Sequence, residues 1–140
     1  MTARNQPASA TTRQEWTNDR ASMIVELRAP TVLLSTLQGH PDAKMGIQLA
    51  AALEQRLQNP LVRHAFFDAD EMTGYHSSLR TEQTRVLLKY RKRITIHVLG
   101  RSKLVQMAIA VANIAFSGEV RAYTDRGEFL RVLNAALADR

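Results

Sequence analysis

The chain has 140 residues, 45% of them apolar, which suits one domain with a filled core and excludes a wholly disordered chain. With no cysteine it has neither disulfides nor thiolate metal sites, a composition in keeping with a reducing cytoplasm. The 19 Lys and Arg against 13 Asp and Glu give a net charge of +6, and the longest apolar run, 104–116, is broken by Gln106 and Asn113 and is too short to span a bilayer.

Residues 1–21 are rich in Ala, Thr, Gln, Asn and Arg and lack the central apolar run of a secretory signal. They read as a disordered tail carrying the lone Trp16 as a free side chain or partner anchor, and the domain is expected over 22–140. Ser22–Arg28 and Thr31–Gln38 are rich in Val, Ile, Leu and Thr, and Ala29-Pro30 between them reads as the turn of an opening hairpin. From Asp42 the pattern becomes helical, with Met45, Leu49, Leu53 and Leu57 at fourfold spacing until Asn59-Pro60 stops it. Leu61–Asp68 shows little polar alternation, as a central strand covered on both faces would, and a polar loop follows it. Leu79, Gln83, Val86, Leu87 and Tyr90 then make one helical stripe, and a fourth strand, Ile94–Leu99, closes at Gly100.

Ser102 has the chemistry of an N-cap for a helix from Lys103 to Ser117, with Gly118 suited to the left-handed residue after it. Lys103, Gln106, Ala110, Asn113 and Ser117 leave that helix a narrow polar stripe, so deep packing is the simpler expectation and a flank shared with a partner the other. Glu119–Tyr123 reads as a fifth strand, and Asp125 with Glu128 gives the side chains of a capping box for the last helix. The order β-β-α-β-α-β-α-β-α predicts an α/β fold with a mixed, mostly parallel sheet of about five strands, an N-terminal hairpin and about four helices.

Chemistry is concentrated from Asp68 to Arg80. Ser77 and Ser78 stand at a helix start, where a hydroxyl caps free N–H groups and a phosphate would meet the positive end of the helix dipole. Between Arg80 and Lys103 lie eight Lys and Arg against Glu82 alone, a stretch that reads either as a solvated face or as a surface for an acidic partner, anionic lipid or nucleic acid. Nucleic acid is disfavoured, since Tyr90 is the lone aromatic among these charges and no reading motif is present.

These elements resemble the STAS domain family, typified by bacterial anti-sigma-factor antagonists of the SpoIIAA type, over Ser22–Ala138. Asp68 matches the family's strand-end Asp, Met72-Thr73-Gly74-Tyr75 its loop, and His76-Ser77-Ser78-Leu79 its Asp-Ser-Ser-Gly turn. A second match is Gly100-Arg101-Ser102-Lys103-Leu104-Val105, followed by Ser117-Gly118-Glu119-Val120. His76 replaces the turn Asp and Leu79 its Gly, and the leucine is expected to obstruct close backbone approach there. The resemblance implies a non-catalytic cytoplasmic regulator, phosphorylated at Ser77, or secondarily Ser78, by an anti-sigma-like kinase.

Two classes of function follow. In the first, a protein partner docks on the loop 70–78 and the adjoining helix through Asp70, Tyr75, His76, Ser77, Arg80, Thr84 and Leu88, and phosphate on Ser77 repels it. In the second, the domain senses a small molecule, lipid or anion at the strand ends, with Asp68, Arg101 and Ser102 as candidates. Catalysis is not expected: His76 beside Ser77 has no orienting third group, and Asp68, Asp70 and Glu71 read as caps and solvated charges. No cofactor or metal is called for, since His40, His64, His76 and His97 have no ligand spacing, and one or both of His64 and His97 read as hydrogen-bonded core residues rather than ligands. The apolar flank of the 103–117 helix also makes a homodimer a candidate assembly.

Overall fold

A computed structural model describes residues 13–139. The chain forms strands β1 (Arg13–Thr17), β2 (Ala21–Ala29) and β3 (Val32–Gly39), then helix α1 (Ala43–Leu57), β4 (His64–Met72), α2 (Ser77–Tyr90), β5 (Thr95–Leu99), α3 (Lys103–Ala115), β6 (Arg121–Tyr123) and α4 (Arg126–Ala138). The six strands lie in one sheet in chain order. β1, β2 and β3 pair antiparallel, and β3 to β6 run parallel.

The sixth strand corrects the expectation of a tail reaching residue 21. Arg13, Glu15 and Thr17 are exposed while Gln14 and Trp16 are half-buried, and Trp16 pairs with Met23 and packs on the core. Gln14 Oε1 also accepts a 2.8 Å hydrogen bond from Arg56 Nη1. With only one apolar side chain, β1 is held by its ladder to β2, and its outward charges suit an edge strand. Residues 1–12 lie outside the described residues.

Both faces of the sheet are covered, and β4 shows how. Ala65, Phe67 and Ala69 join one core cluster with residues of α1, α2 and α3, whereas Phe66 joins Val32, Leu34, Leu99 and Tyr123 in a second beneath Phe129 and Leu133 of α4. Period-two alternation therefore persists, but both sets are apolar, which hid it in the sequence. β4 also runs on to Met72, so Asp68 lies within the strand rather than at its end, while Leu61 falls outside it and is exposed. Alternation carries Asp68 and Asp70 to the α4 face behind Phe66.

The helix caps match the local chemistry. Asp42, Ser102 and Asp125 accept from the backbone N–H groups of Met45, Val105 and Glu128. Gly118, with φ of 78°, follows α3 as anticipated, and the amide of Asn113 exchanges hydrogen bonds with the backbone of Val120. The deep packing expected of α3 is not found. Only Val105 and Ile109 are buried, and Met107 and Ile114 are 67% and 82% exposed. An apolar helix is not thereby a buried one: α3 packs along one stripe, and Leu104, Met107, Val111 and Ile114 on its outer side are exposed among the described residues.

Candidate functional site

The residues singled out between Asp68 and Arg101 separate into two groups on opposite faces of the sheet. Behind it, Asp68 receives two 3.0 Å hydrogen bonds from Arg126, the first residue of α4. Asp70 receives two 2.9 Å bonds from Arg101 and a 3.3 Å bond from Arg126. The Asp70 side chain is 1% exposed and that of Arg101 63%. Arg101 and Arg126 hold the Asp70 carboxyl below the usual range against the opposing effect of burial, with Arg101 the stronger influence. Two carboxylates and two guanidiniums cancel, and the cluster fastens the starts of α3 and α4 to β4.

At the anion site expected at Asp68, Arg101 and Ser102, the charged side chains are paired with other partners. The guanidinium of Arg101 is committed to Asp70, and the Ser102 hydroxyl accepts the Val105 N–H at 3.1 Å. Asp70 is also removed from the partner-docking set, being buried behind the sheet. Arg126 was not singled out in the sequence, because nothing local links it to an aspartate 58 positions away.

The second group lies at the start of α2. The loop is held to the end of β3 by the Thr73 N–H on the Gly39 carbonyl, at 2.8 Å, and by the His76 N–H on the Pro41 carbonyl, at 3.0 Å. A Cβ at Gly74 would fall 2.4 Å from His40 Nδ1, so any larger residue there would displace the His40 ring. His76 is itself the N-cap: its Nδ1 accepts the Ser78 N–H at 3.1 Å, so the imidazole supplies the oxygen-like acceptor that an Asp would provide. This assigns the cap to His76 rather than to either serine. Ser78 is half-buried, and its hydroxyl lies 3.0 Å from His76 Nδ1 and 3.4 Å from the Ala43 carbonyl. Ser77 is exposed, and among the described residues no hydrogen bond engages its hydroxyl.

Leu79 does not obstruct the turn. It is buried, and the close approach is made instead by Gly46 of α1, where a Cβ would lie 2.9 Å from the Leu79 N and Cα atoms. The small residue required at this crossing sits on the partner helix. From the turn, Arg80, Thr84 and Leu88 follow at fourfold spacing, with Leu88 exposed, and Tyr75, Arg80 and Thr84 border one apolar cavity.

The basic stretch is largely engaged. Arg85 pairs with Glu82, Lys89 with Glu54, and Arg91 and Arg93 donate to the carbonyls of Ala115 and Leu57. The two strand histidines form a hydrogen-bonded chain in which His97 is a core residue and His64 is half-buried: His64 Nδ1 lies 3.2 Å from His97 Nε2, and His97 Nδ1 2.9 Å from the Tyr123 hydroxyl. His97 is 1% exposed and stacks on Phe66 with ring centres 4.0 Å apart. Burial, reinforced by His64 and Arg121, pushes its pKa down to about 4, and burial lowers that of His64 as well. Among the described residues no three His, Asp or Glu side chains cluster as metal ligands, and no helix is long and apolar enough to cross a membrane.

No family model matches the sequence, and no curated protein matches it. Solved structures do. The anti-sigma factor antagonist SpoIIAA in its unphosphorylated form superposes with a TM-score of 0.61 at 13% identity, over 84% of this chain and 99% of that one. An uncharacterized DUF3478-family protein with a SpoIIAA-like fold, from Shewanella loihica PV-4, gives 0.55 at 20% identity, over 87% and 92%. An anti-sigma factor antagonist from Mycobacterium paratuberculosis gives 0.51 at 16%, over 91% and 94%.

Proposed function

We propose that this chain, which has the SpoIIAA-like fold, is a non-catalytic regulatory module that docks a protein partner through the start of α2 and is switched by phosphorylation of Ser77. The observation that carries the reading is the contrast between the paired serines. Ser78 is half-buried where α2 crosses α1, whereas Ser77 is exposed at the first position of a helix already capped by His76. A phosphate on Ser77 would sit at the positive end of the α2 dipole, three residues from Arg80, and add about −1.5 to −2 charges to the docking surface. The surface consists of Tyr75, His76, Ser77, Arg80, Thr84 and Leu88, with Asp70 omitted because its carboxylate is buried in the rear cluster.

The reading is tested by recovering the partner on immobilised protein, mapping phosphosites after incubation with it, and measuring the affinity of Ser77 variants. Ser77→Asp is expected to bind at least tenfold more weakly than Ser77→Ala, about 1.4 kcal/mol. Equal affinities would sink the switch while leaving docking intact.

The exposed face of α3 supports a homodimer. Leu104, Met107, Val111 and Ile114 are all exposed and fall at alternating spacings of three and four, the seam of a two-helix pair.

A further inference from the structure

α3 carries two apolar stripes. Val105, Ile109 and Ala112 pack on the core, while Leu104, Met107, Val111 and Ile114 stand on the outer side. The outer stripe advances by three, four and three residues, the a and d positions of a heptad, so it forms a continuous seam along the helix rather than a scatter of exposed side chains. Ala108 and Ala110 flank the seam and leave room for another helix to approach closely.

The seam is its own complement when reversed, because its intervals read the same from either end. A second copy laid antiparallel sets Leu104 against Ile114 and Met107 against Val111, twice each about one two-fold axis at the level of Ile109, and every exposed side chain of the seam meets an apolar partner. Charge selects this direction over the parallel one. Lys103 is the sole charged side chain of α3 and occupies its first position, and the last turn has no basic residue. Antiparallel packing brings Lys103 of each copy beside the last turn of the other, where free carbonyls favour a cation, and it opposes the two helix dipoles. Parallel packing would bring the two lysines together at the helix ends that are already positive.

We propose that two copies of this chain pair through α3 in antiparallel register, Leu104 against Ile114 and Met107 against Val111. This arrangement rests on the homodimer reading of the α3 face and fixes the orientation of that dimer; it is independent of the Ser77 switch.

The chain has no cysteine, so single introduced cysteines report the register directly. Leu104→Cys and Ile114→Cys, both at exposed positions, are prepared separately with one isotopically labelled, and equilibrated in a glutathione redox buffer alone and as a mixture. In the antiparallel pair position 104 of one copy lies about 15 Å along the axis from position 104 of the other, out of disulfide reach, but level with position 114. The mixed disulfide, identified by mass, is therefore expected to exceed either self-disulfide by at least tenfold. Lys103→Glu in the otherwise unchanged chain places a carboxylate against the last turn of the second copy, and sedimentation should show a dimer weakened about fivefold, whereas a parallel pair would gain from the same change. Self-disulfides at 104 and 114 that match the mixed one, or a Lys103→Glu dimer as tight as the parent, overturn the antiparallel register and leave the homodimer standing. A parent that sediments as a monomer overturns the homodimer and the arrangement together, whether or not the face then binds lipid vesicles.

Discussion

Lowering the pH from 7 to 4.5 should destabilise the fold through His97. His97 is enclosed by Phe66, His64 and Tyr123, and its neutral ring satisfies both neighbours; the charged groups acting on it are His64 and Arg121, and both oppose a second positive charge. The folded protein holds the imidazole at about 4 against an ordinary 6.5, so between these values the unfolded chain binds a proton that the folded one refuses. Stability from this group is therefore complete above pH 6.5 and is lost as pH falls toward 4. At about 1.36 kcal/mol per pH unit the full effect is about 3 kcal/mol, most of which is lost between pH 7 and 4.5. Urea unfolding followed by circular dichroism and by Trp16 fluorescence at a series of pH values measures it, with His97→Phe as the reference that cannot titrate at this position. The variant is expected to be less stable at pH 7, because the Tyr123 hydroxyl and His64 lose their partner, yet flatter in its pH dependence between 7 and 4.5. Parallel slopes for the two proteins, or a His97 titration in the folded protein at or above pH 6, would refute the reasoning.

Arg126→Gln leaves Asp68 without its bidentate partner while Asp70 keeps Arg101, and should cost about 1–2 kcal/mol in urea unfolding at pH 7. Asp70→Asn removes a carboxylate whose folded pKa is depressed, so the variant should lose less stability than the parent as pH drops below 4; equal acid sensitivity below that value would show that the cluster contributes nothing through Asp70. Gly46→Ala should destabilise by about 1–3 kcal/mol despite alanine's better helix propensity, since its Cβ meets Leu79 backbone that cannot move without shifting α2. Sedimentation at micromolar concentration should find a dimer for the parent and a monomer for Ile114→Lys, and a monomeric parent would remove the α3 face as a self-association surface.

The readings that succeeded rest on short-range chemistry. Ser102 and Asp125 each cap a backbone N–H three residues on, a geometry that the chain carries wherever it is placed, and Gly118 follows α3 for the same local reason. β1 escaped notice because Arg13–Thr17 carries one apolar side chain, and its stability comes from a ladder to residues about ten positions away. Asp68 and Asp70 were recognised as special, but their partners were not: alternation along β4 sends both behind the sheet, to arginines 58 and 31 positions on. Leu79 was read against the wrong neighbour, since the glycine that admits it belongs to α1.

Taken alone, the sequence determined the alternation of strands and helices, their caps and turns, and the position of Ser77 at a helix start, because each depends on residues within a few positions of one another. Only the tertiary structure decided which of two adjacent serines is exposed, which carboxylates are spent on arginines, and that most of the apolar α3 faces outward. Those outcomes depend on which elements stack on which face of the sheet, and that is set by packing between segments far apart in the chain.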